Sequence, residues 1–310
     1  MPRRTDEEQA DFQRALGSVA DEGPLSTAEL DALSVLEGGD LDSFRQVWAG
    51  LSAPARARLT RGLRGAAENR LRLDFSSVNQ LALDDPDERV RLAGVECSLE
   101  DRSPRLLSRL LEMVRSDPSA QVRRSAAEAL ARFALLGELE DLDAESTRRV
   151  RERLLAAVQD ADEDPSVRAA ALAALGYFSD EATMHELASA FSDPVLRLGA
   201  VRGMGRSADP RWTDRLMPVL GSEDPSMREE AARALGEIED ERAVSPLVEL
   251  VDDQVPGVRL AAIEALGSIG GEEAREALLY ALEDADAAIR EAAEKAIGDL
   301  EERENDPLDL

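Results

Sequence analysis

Arg228-Glu229-Glu230-Ala231-Ala232-Arg233-Ala234-Leu235-Gly236 is followed 31 residues later by Arg259-Leu260-Ala261-Ala262-Ile263-Glu264-Ala265-Leu266-Gly267. The two stretches differ in charge and bulk. They share the leading Arg, small residues at offsets three and six from it, Leu at seven and Gly at eight. Self-similarity at a fixed short period is the signature of stacked repeats, so it takes precedence over any single motif. Hydrophobe-Arg pairs recur at Val90-Arg91, Val122-Arg123, Val167-Arg168, Leu196-Arg197, Met227-Arg228, Val258-Arg259 and Ile289-Arg290, with the arginines 32, 45, 29, 31, 31 and 31 residues apart.

The seven copies, compared with one another, separate fixed positions from free ones. Offset three holds Gly94, Ala126, Ala171, Ala200, Ala231, Ala262 and Ala293, and offset six holds Cys97, Ala129, Ala174, Gly203, Ala234, Ala265 and Ala296. Offset seven holds Leu130, Leu175, Met204, Leu235, Leu266 and Ile297, with Ser98 in the first copy. Offsets of minus one, three, four and seven mark one face of an α-helix, and the small residues let neighbouring helices approach closely. Asp85-Pro86, Asp117-Pro118, Asp164-Pro165, Asp193-Pro194 and Asp224-Pro225 read as N-caps followed by proline at the first helical position. Gly176, Gly205, Gly236, Gly267 and Gly298, at offset eight, read as left-handed C-caps. Second amphipathic segments lie between these helices, as at 242–251 and 272–282, so each period is expected to be a helical hairpin.

The D-P-x-x-R start, the A-A-x-x-A-L-G ending and the short period resemble HEAT repeats, closest to the phycobilisome-lyase HEAT-like variety. The resemblance covers roughly residues 74–301. It implies an all-α fold, a right-handed α-α superhelix, with the Arg-bearing helices lining its concave side. A bilin-lyase role is a further implication, but the shared residues are structural ones and a repeat formula carries no function with it.

Outside the repeats, residues 25–73 read as a degenerate helical N-terminal cap, opened by a capping box of Ser26 with Glu29. Residues 1–24 are expected to be partly disordered, and 302–310 to form an acidic tail. The 45-residue period holds an acidic insertion near 137–146, read first as an elongated exposed turn and second as an interaction loop.

Composition excludes several classes of function. Aromatic residues are only 3% of a chain that is 43% hydrophobic, which suits close-packed Ala- and Leu-rich helices rather than a sandwich of strands. The net charge of -28 opposes a phosphate backbone, so nucleic acid is not an expected partner. Lys295 is the single lysine among Arg cations, which fits a GC-rich genome and equally a salt-tolerant host. No apolar stretch is long enough to span a bilayer and the start lacks a secretory signal's apolar core, so a cytoplasmic protein without membrane contact is expected.

Candidate catalytic and metal sites do not assemble. One cysteine, Cys97, forms no internal disulfide, and one histidine, His185, builds no zinc site. His185-Glu186 matches the His-Glu pairs that hold di-iron in deoxyhypusine hydroxylase, a HEAT-like enzyme, but that centre needs several such pairs. Gly203-Met204-Gly205-Arg206-Ser207-Ala208 matches a loose dinucleotide fingerprint, yet it ends a helix where the fingerprint must open one. Trp48 and Trp212 lie far apart, which disfavours the stacking aromatics of HEAT-like glycosylases. No catalytic residue, cofactor or metal is expected.

Two sets of residues remain. Arg91, Arg123, Arg168, Arg197, Arg228, Arg259 and Arg290 are read as a structural ladder tying turn to turn, with phosphate binding the weaker alternative. The free offsets, one and five, carry Leu92 and Glu96, Arg124 and Glu128, Ala169 and Ala173, Leu198 and Arg202, Glu229 and Arg233, Leu260 and Glu264, Glu291 and Lys295. Residues four apart share a helical row, so these pairs are expected to form a mixed apolar and charged strip, about 70 Å long over seven helices. The expected function is a monomeric, non-enzymatic scaffold or adaptor that binds a protein or extended peptide on the concave strip. The alternative is a phycobilin-lyase-like or other enzyme-complex subunit. A separate basic segment, Arg56, Arg58, Arg61, Arg64, Arg70 and Arg72, with Leu59, Leu63, Ala67 and Leu71 as its apolar stripe, reads mainly as a partner for the chain's own carboxylates.

Overall fold

A computed structural model describes residues 5–68, 70, 72–98 and 101–304. Among these residues there is no strand, and the fold is all-α. The chain divides into two compact units, residues 1–133 and 134–310.

The first unit opens with α1 (Asp6–Ala20), a segment expected from the sequence to be partly disordered. It folds because Thr5 and Glu8 close a capping box and because Phe12, Leu16 and Val19 fall on one face and are buried. α2 (Thr27–Leu33) starts at the Ser26/Glu29 box anticipated above. Then come α3 (Gly38–Gly50), α4 (Ala53–Glu68), α5 (Ser76–Leu83), α6 (Glu88–Glu96), α7 (Pro104–Ser116) and α8 (Ala120–Glu138), within which the first unit ends. α6 packs on both α4 and α5, so the segment 25–73 supplies a real neighbour for the first repeat.

The second unit holds α9 (Ala144–Gln159), α10 (Pro165–Leu175), α11 (Glu181–Ala190), α12 (Arg197–Arg206), α13 (Thr213–Leu216), α14 (Pro225–Ile238), α15 (Val244–Val248), α16 (Pro256–Ile269), α17 (Glu272–Ala281) and α18 (Ala287–Glu304). The Arg-bearing helices stack in order, α10 on α12, α12 on α14, α14 on α16 and α16 on α18. Each also packs on the helix preceding it in its hairpin. α13 and α15 are short and continue as 3-10 turns at Met217–Gly221 and Glu249–Asp252. Pro218 removes an N–H from the first of these segments, which shortens the α-helical run. The acidic insertion is not an elongated loop: α8 reaches Glu138 and α9 starts at Ala144, so the extra residues lengthen two helices around a tight turn. At the other end helix continues to Glu304, and 305–310, most of the expected tail, lie outside the described residues.

Most of the fixed offsets are buried as the helical face demands, with Cys97, Ala129 and Ile297 half-buried. Ala126, Ala171, Ala200, Ala231, Ala262 and Ala293 are fully covered, as are Leu130, Leu175, Met204, Leu235 and Leu266. Burying each large one contributes about 1.5–3 kcal/mol. Ser98, the exception at offset seven, is buried too and satisfies its hydroxyl by donating to the Val95 carbonyl at 2.7 Å.

The offset-eight glycines correct the sequence reading. None has positive φ; Gly205, Gly236, Gly267 and Gly298 lie inside their helices and Gly176 is right-handed. Their role is close approach. A Cβ on Gly205 would lie 2.6 Å from the Ala234 Cα, one on Gly236 2.8 Å from the Ala265 Cα, and one on Gly267 2.7 Å from the Ala296 Cβ. Offset eight of α12, α14 and α16 therefore seats against offset six of the following helix. The left-handed C-cap of α14 falls instead on Glu239.

Candidate interaction surface

The repeated arginines are held by two kinds of acceptor. In six of the seven copies the guanidinium donates to the carbonyl six residues earlier: Arg91 to Asp85 at 3.0 Å, Arg123 to Asp117 at 2.8 Å, Arg197 to Phe191 at 2.9 Å, Arg228 to Ser222 at 2.8 Å, Arg259 to Asp253 at 2.9 Å and Arg290 to Asp284 at 2.7 Å. Arg168, after the lengthened hairpin, donates to Val158 instead. Some of them also reach a carboxylate in the next turn, as Arg91 does to Asp117 at 2.8 Å, Arg228 to Asp253 at 2.8 Å and Arg259 to Asp284 at 3.1 Å. Hydrogen bonds from Arg228 hold the Asp253 carboxyl below its usual range, against the opposing effect of burial. Arg197 is exposed and lies over the Phe191 ring at 5.3 Å.

The Asp-Pro aspartates serve both ends of this bridge. Asp164 and Asp224 cap their helices as expected. Asp85, Asp117 and Asp193 sit slightly outside the helices and accept from the N–H two residues on, at Asp87, Ser119 and Val195. Asp85 completes a rung that the sequence reading assigned elsewhere. Arg56 reaches its carboxylate at 2.7 Å and the Leu51 carbonyl at 2.6 Å, and the Trp48 indole donates to it at 3.1 Å. Arg56 thus stands in the ladder one hairpin before Arg91. Leu59 at offset three, where the other copies are small, hides it in the sequence.

The free offsets are largely at the surface, unit by unit. In the first unit Leu92 and Glu96 are half-buried while Arg124 and Glu128 are exposed and pair with each other at 2.9 Å. In the second unit Leu198, Arg233, Glu264, Glu291 and Lys295 are exposed, and Ala169, Arg202, Glu229 and Leu260 are half-buried. Ala173 departs from the expectation: it is buried, because the close seating of α12 covers the Ala-rich face of α10. The strip's arginines are engaged. Arg202 binds Glu230 of the next helix, and Arg233 binds Glu229 at 2.9 Å and approaches Glu264 at 4.0 Å. The same row continues at offset nine through Tyr177, Arg206, Glu237, Ser268 and Asp299, none of them buried, with Arg206 over the Tyr177 ring at 5.4 Å. Gly at offset eight marks the end of the repeat pattern in the sequence, which hides this third row.

A general family model, HEAT repeats, matches residues 184–267 and 250–309, and the HEAT repeat model matches residues 106–136. The chain is a HEAT-repeat protein. These models are general and do not distinguish the lyase variety. Among solved structures it is similar to Kap95p bound to RanGDP, with 15% identity over 95% of this chain and 47% of that one, at a TM-score of 0.50. It is also similar to human deoxyhypusine hydroxylase, with 20% identity over 81% and 100% of the two chains at a TM-score of 0.34. An engineered protein gives 23% identity over 63% and 98% at a TM-score of 0.40. No curated protein sequence matches. At these identities the likeness is one of fold.

The remaining sequence motifs resolve into parts of the HEAT hairpins. Gly203, Met204 and Gly205 are buried inside α12, with no strand before them. His185 is exposed on α11, and Glu186 beside it accepts from Gln159 at 2.7 Å. Burial pushes the Cys97 thiol up to about 11, and its Sγ lies 3.7 Å from the Thr60 carbonyl. No group of three or more metal-binding side chains occurs among the described residues. No described helix is long and apolar enough to cross a membrane. The basic segment is spent internally: Arg58 binds Glu22, Arg61 binds Glu96, Arg64 binds Glu68, and Arg70 and Arg72 share Asp31. In its expected stripe Leu63 is buried and Leu59 and Ala67 are half-buried, while Leu71 lies outside the described residues.

Proposed function

We propose that this HEAT-repeat chain is a non-catalytic scaffold that holds a protein or extended peptide on the outward row of its Arg-bearing helices. One observation carries the reading. On α12, α14 and α16 the residues at offsets three, six and seven are buried, while offsets one and five stay accessible and change chemistry from copy to copy. A surface freed from the needs of stacking, with Leu198 and Leu260 among charges, has the mixed apolar and polar character of a peptide-binding face. Kap95p, of the same fold type, is a protein that binds RanGDP.

The leucines make a cleaner test than the arginines, since Arg202 and Arg233 also tie helix to helix. A Leu198→Asp, Leu260→Asp variant is expected to keep its circular dichroism and melting profile while losing the proteins that the wild type retains on an affinity column. Retention of the same proteins by the variant, or catalytic turnover of a chromophore-bearing protein by the chain alone, would overturn the proposal.

A further inference from the structure

A second surface lies on the first helix of the last hairpin. Among the described residues α17 is the only first helix of the second unit to expose large apolar side chains: Leu279 is 51% and Tyr280 61% exposed. Beneath them Ala274, Ala277, Leu278 and Ala281 are buried, so the helix is anchored and the pair is surplus to its packing. Exposed single leucines are ordinary; an adjacent Leu-Tyr pair bordered by charge of one sign is less so. Glu272, Glu276 and Glu283 share the rows of Leu279 and Tyr280, are exposed, and have no cationic partner among the described residues. Arg275, the helix's one cation, approaches Glu301 at 3.8 Å. The Tyr280 hydroxyl donates to Asp252 at 3.2 Å, and the phenol is pushed up by the charge of Asp252 foremost, then by that hydrogen bond and burial, with Asp284 and Glu283 adding to it.

We infer that the outward face of α17 is a docking site for a basic segment of a protein partner, one carrying arginines around an apolar side chain. The apolar side chain covers Leu279. A guanidinium lies over the Tyr280 ring, and others meet Glu272, Glu276 and Glu283. Charge complementarity selects this occupant over the rest: a second copy of this chain brings another net charge of -28, and nucleic acid is repelled in the same way.

The test uses the full chain and a fluorescein-labelled peptide of about twelve residues built from arginine and leucine, titrated by anisotropy at low salt. Leu279→Ser with Tyr280→Ser, and separately Glu276→Gln with Glu283→Gln, are each expected to weaken binding about tenfold. These side chains are exposed, and circular dichroism should be unchanged. A peptide with every leucine replaced by serine is expected to bind the wild type about tenfold more weakly. Equal binding of the serine peptide, indifference to Leu279→Ser with Tyr280→Ser, or loss of binding in Leu198→Ser with Leu260→Ser would each overturn the inference. The last result would place the peptide on the row assigned under the proposed function, so the two readings fail separately.

Discussion

At the scale of single residues, the Arg-Asp rungs are the interactions whose loss is most costly. Arg91 and Asp117 are both nearly buried, and the guanidinium meets the carboxylate through two nitrogens at 2.8 and 2.9 Å. An Asp117→Asn variant keeps an acceptor for the Ser119 N–H but leaves the Arg91 charge without its counter-ion. Removing one partner of a buried pair costs about 3–5 kcal/mol, which urea unfolding of the variant should show. The repeated Arg and the repeated Asp were each legible in the sequence. Their pairing was only half legible, because it joins an Arg in one copy to an Asp some 26 residues on that also turns the next helix start. Glu29 gives a pH-dependent case. Hydrogen bonds from Ser18 and Ser26 hold its carboxyl at about 2 against an ordinary 4.5. A folded-state value below the unfolded one stabilises above pH 4.5, and that contribution is lost as the pH falls from there toward about 2. The stability gap between wild type and Glu29→Gln is therefore expected to close over that interval, as read from melting temperatures; a constant gap would contradict it.

At the scale of elements, the offset-eight glycines show where periodicity alone was not enough. The sequence marks them as special but leaves two reasons for a glycine, a left-handed turn or a close neighbour, and both fit the end of an amphipathic pattern. Helices that run past the glycine decide for the neighbour. The same position then has opposite sign in different copies. Gly205→Ala pushes a methyl toward the backbone of α14, 2.6 Å from the Ala234 Cα, and overpacking of this kind costs roughly 1–3 kcal/mol. Gly298, in α18, has open space where its Cβ would stand, and it lies inside a helix. Gly298→Ala should stabilise by about 0.5–1 kcal/mol through helix propensity and a less free unfolded chain. Denaturant midpoints moving in opposite directions for the two variants would confirm the role of the following helix; two shifts of one sign would refute it. α1 was missed for a related reason: Phe12, Leu16 and Val19 are too few to register against a charged background until a capping box fixes where the helix begins.

At the scale of the whole molecule, the chain carries 65 acidic and 37 basic side chains. The cations are mostly accounted for, in carboxylate bridges, carbonyl contacts or stacking on Phe191, Tyr177 and Trp212. The unmatched charge is therefore acidic and solvated, on exposed side chains such as Glu223, Glu241, Glu249, Glu272 and Glu276. Salt acts on these two populations in opposite directions. It weakens exposed ion pairs, each contributing about 0–1 kcal/mol, and it relieves the mutual repulsion of 28 excess negative charges. The rungs at Arg91, Arg228 and Arg259 are partly or wholly shielded from solvent, so screening reaches them least. Repulsion should therefore dominate the response, and the melting temperature is expected to rise as sodium chloride goes from a few millimolar to about 0.5 M, where the Debye length falls below about 5 Å. A melting temperature that falls over this range would mean that exposed pairs such as Arg124–Glu128 and Arg233–Glu229 stabilise the fold more than the acid excess strains it.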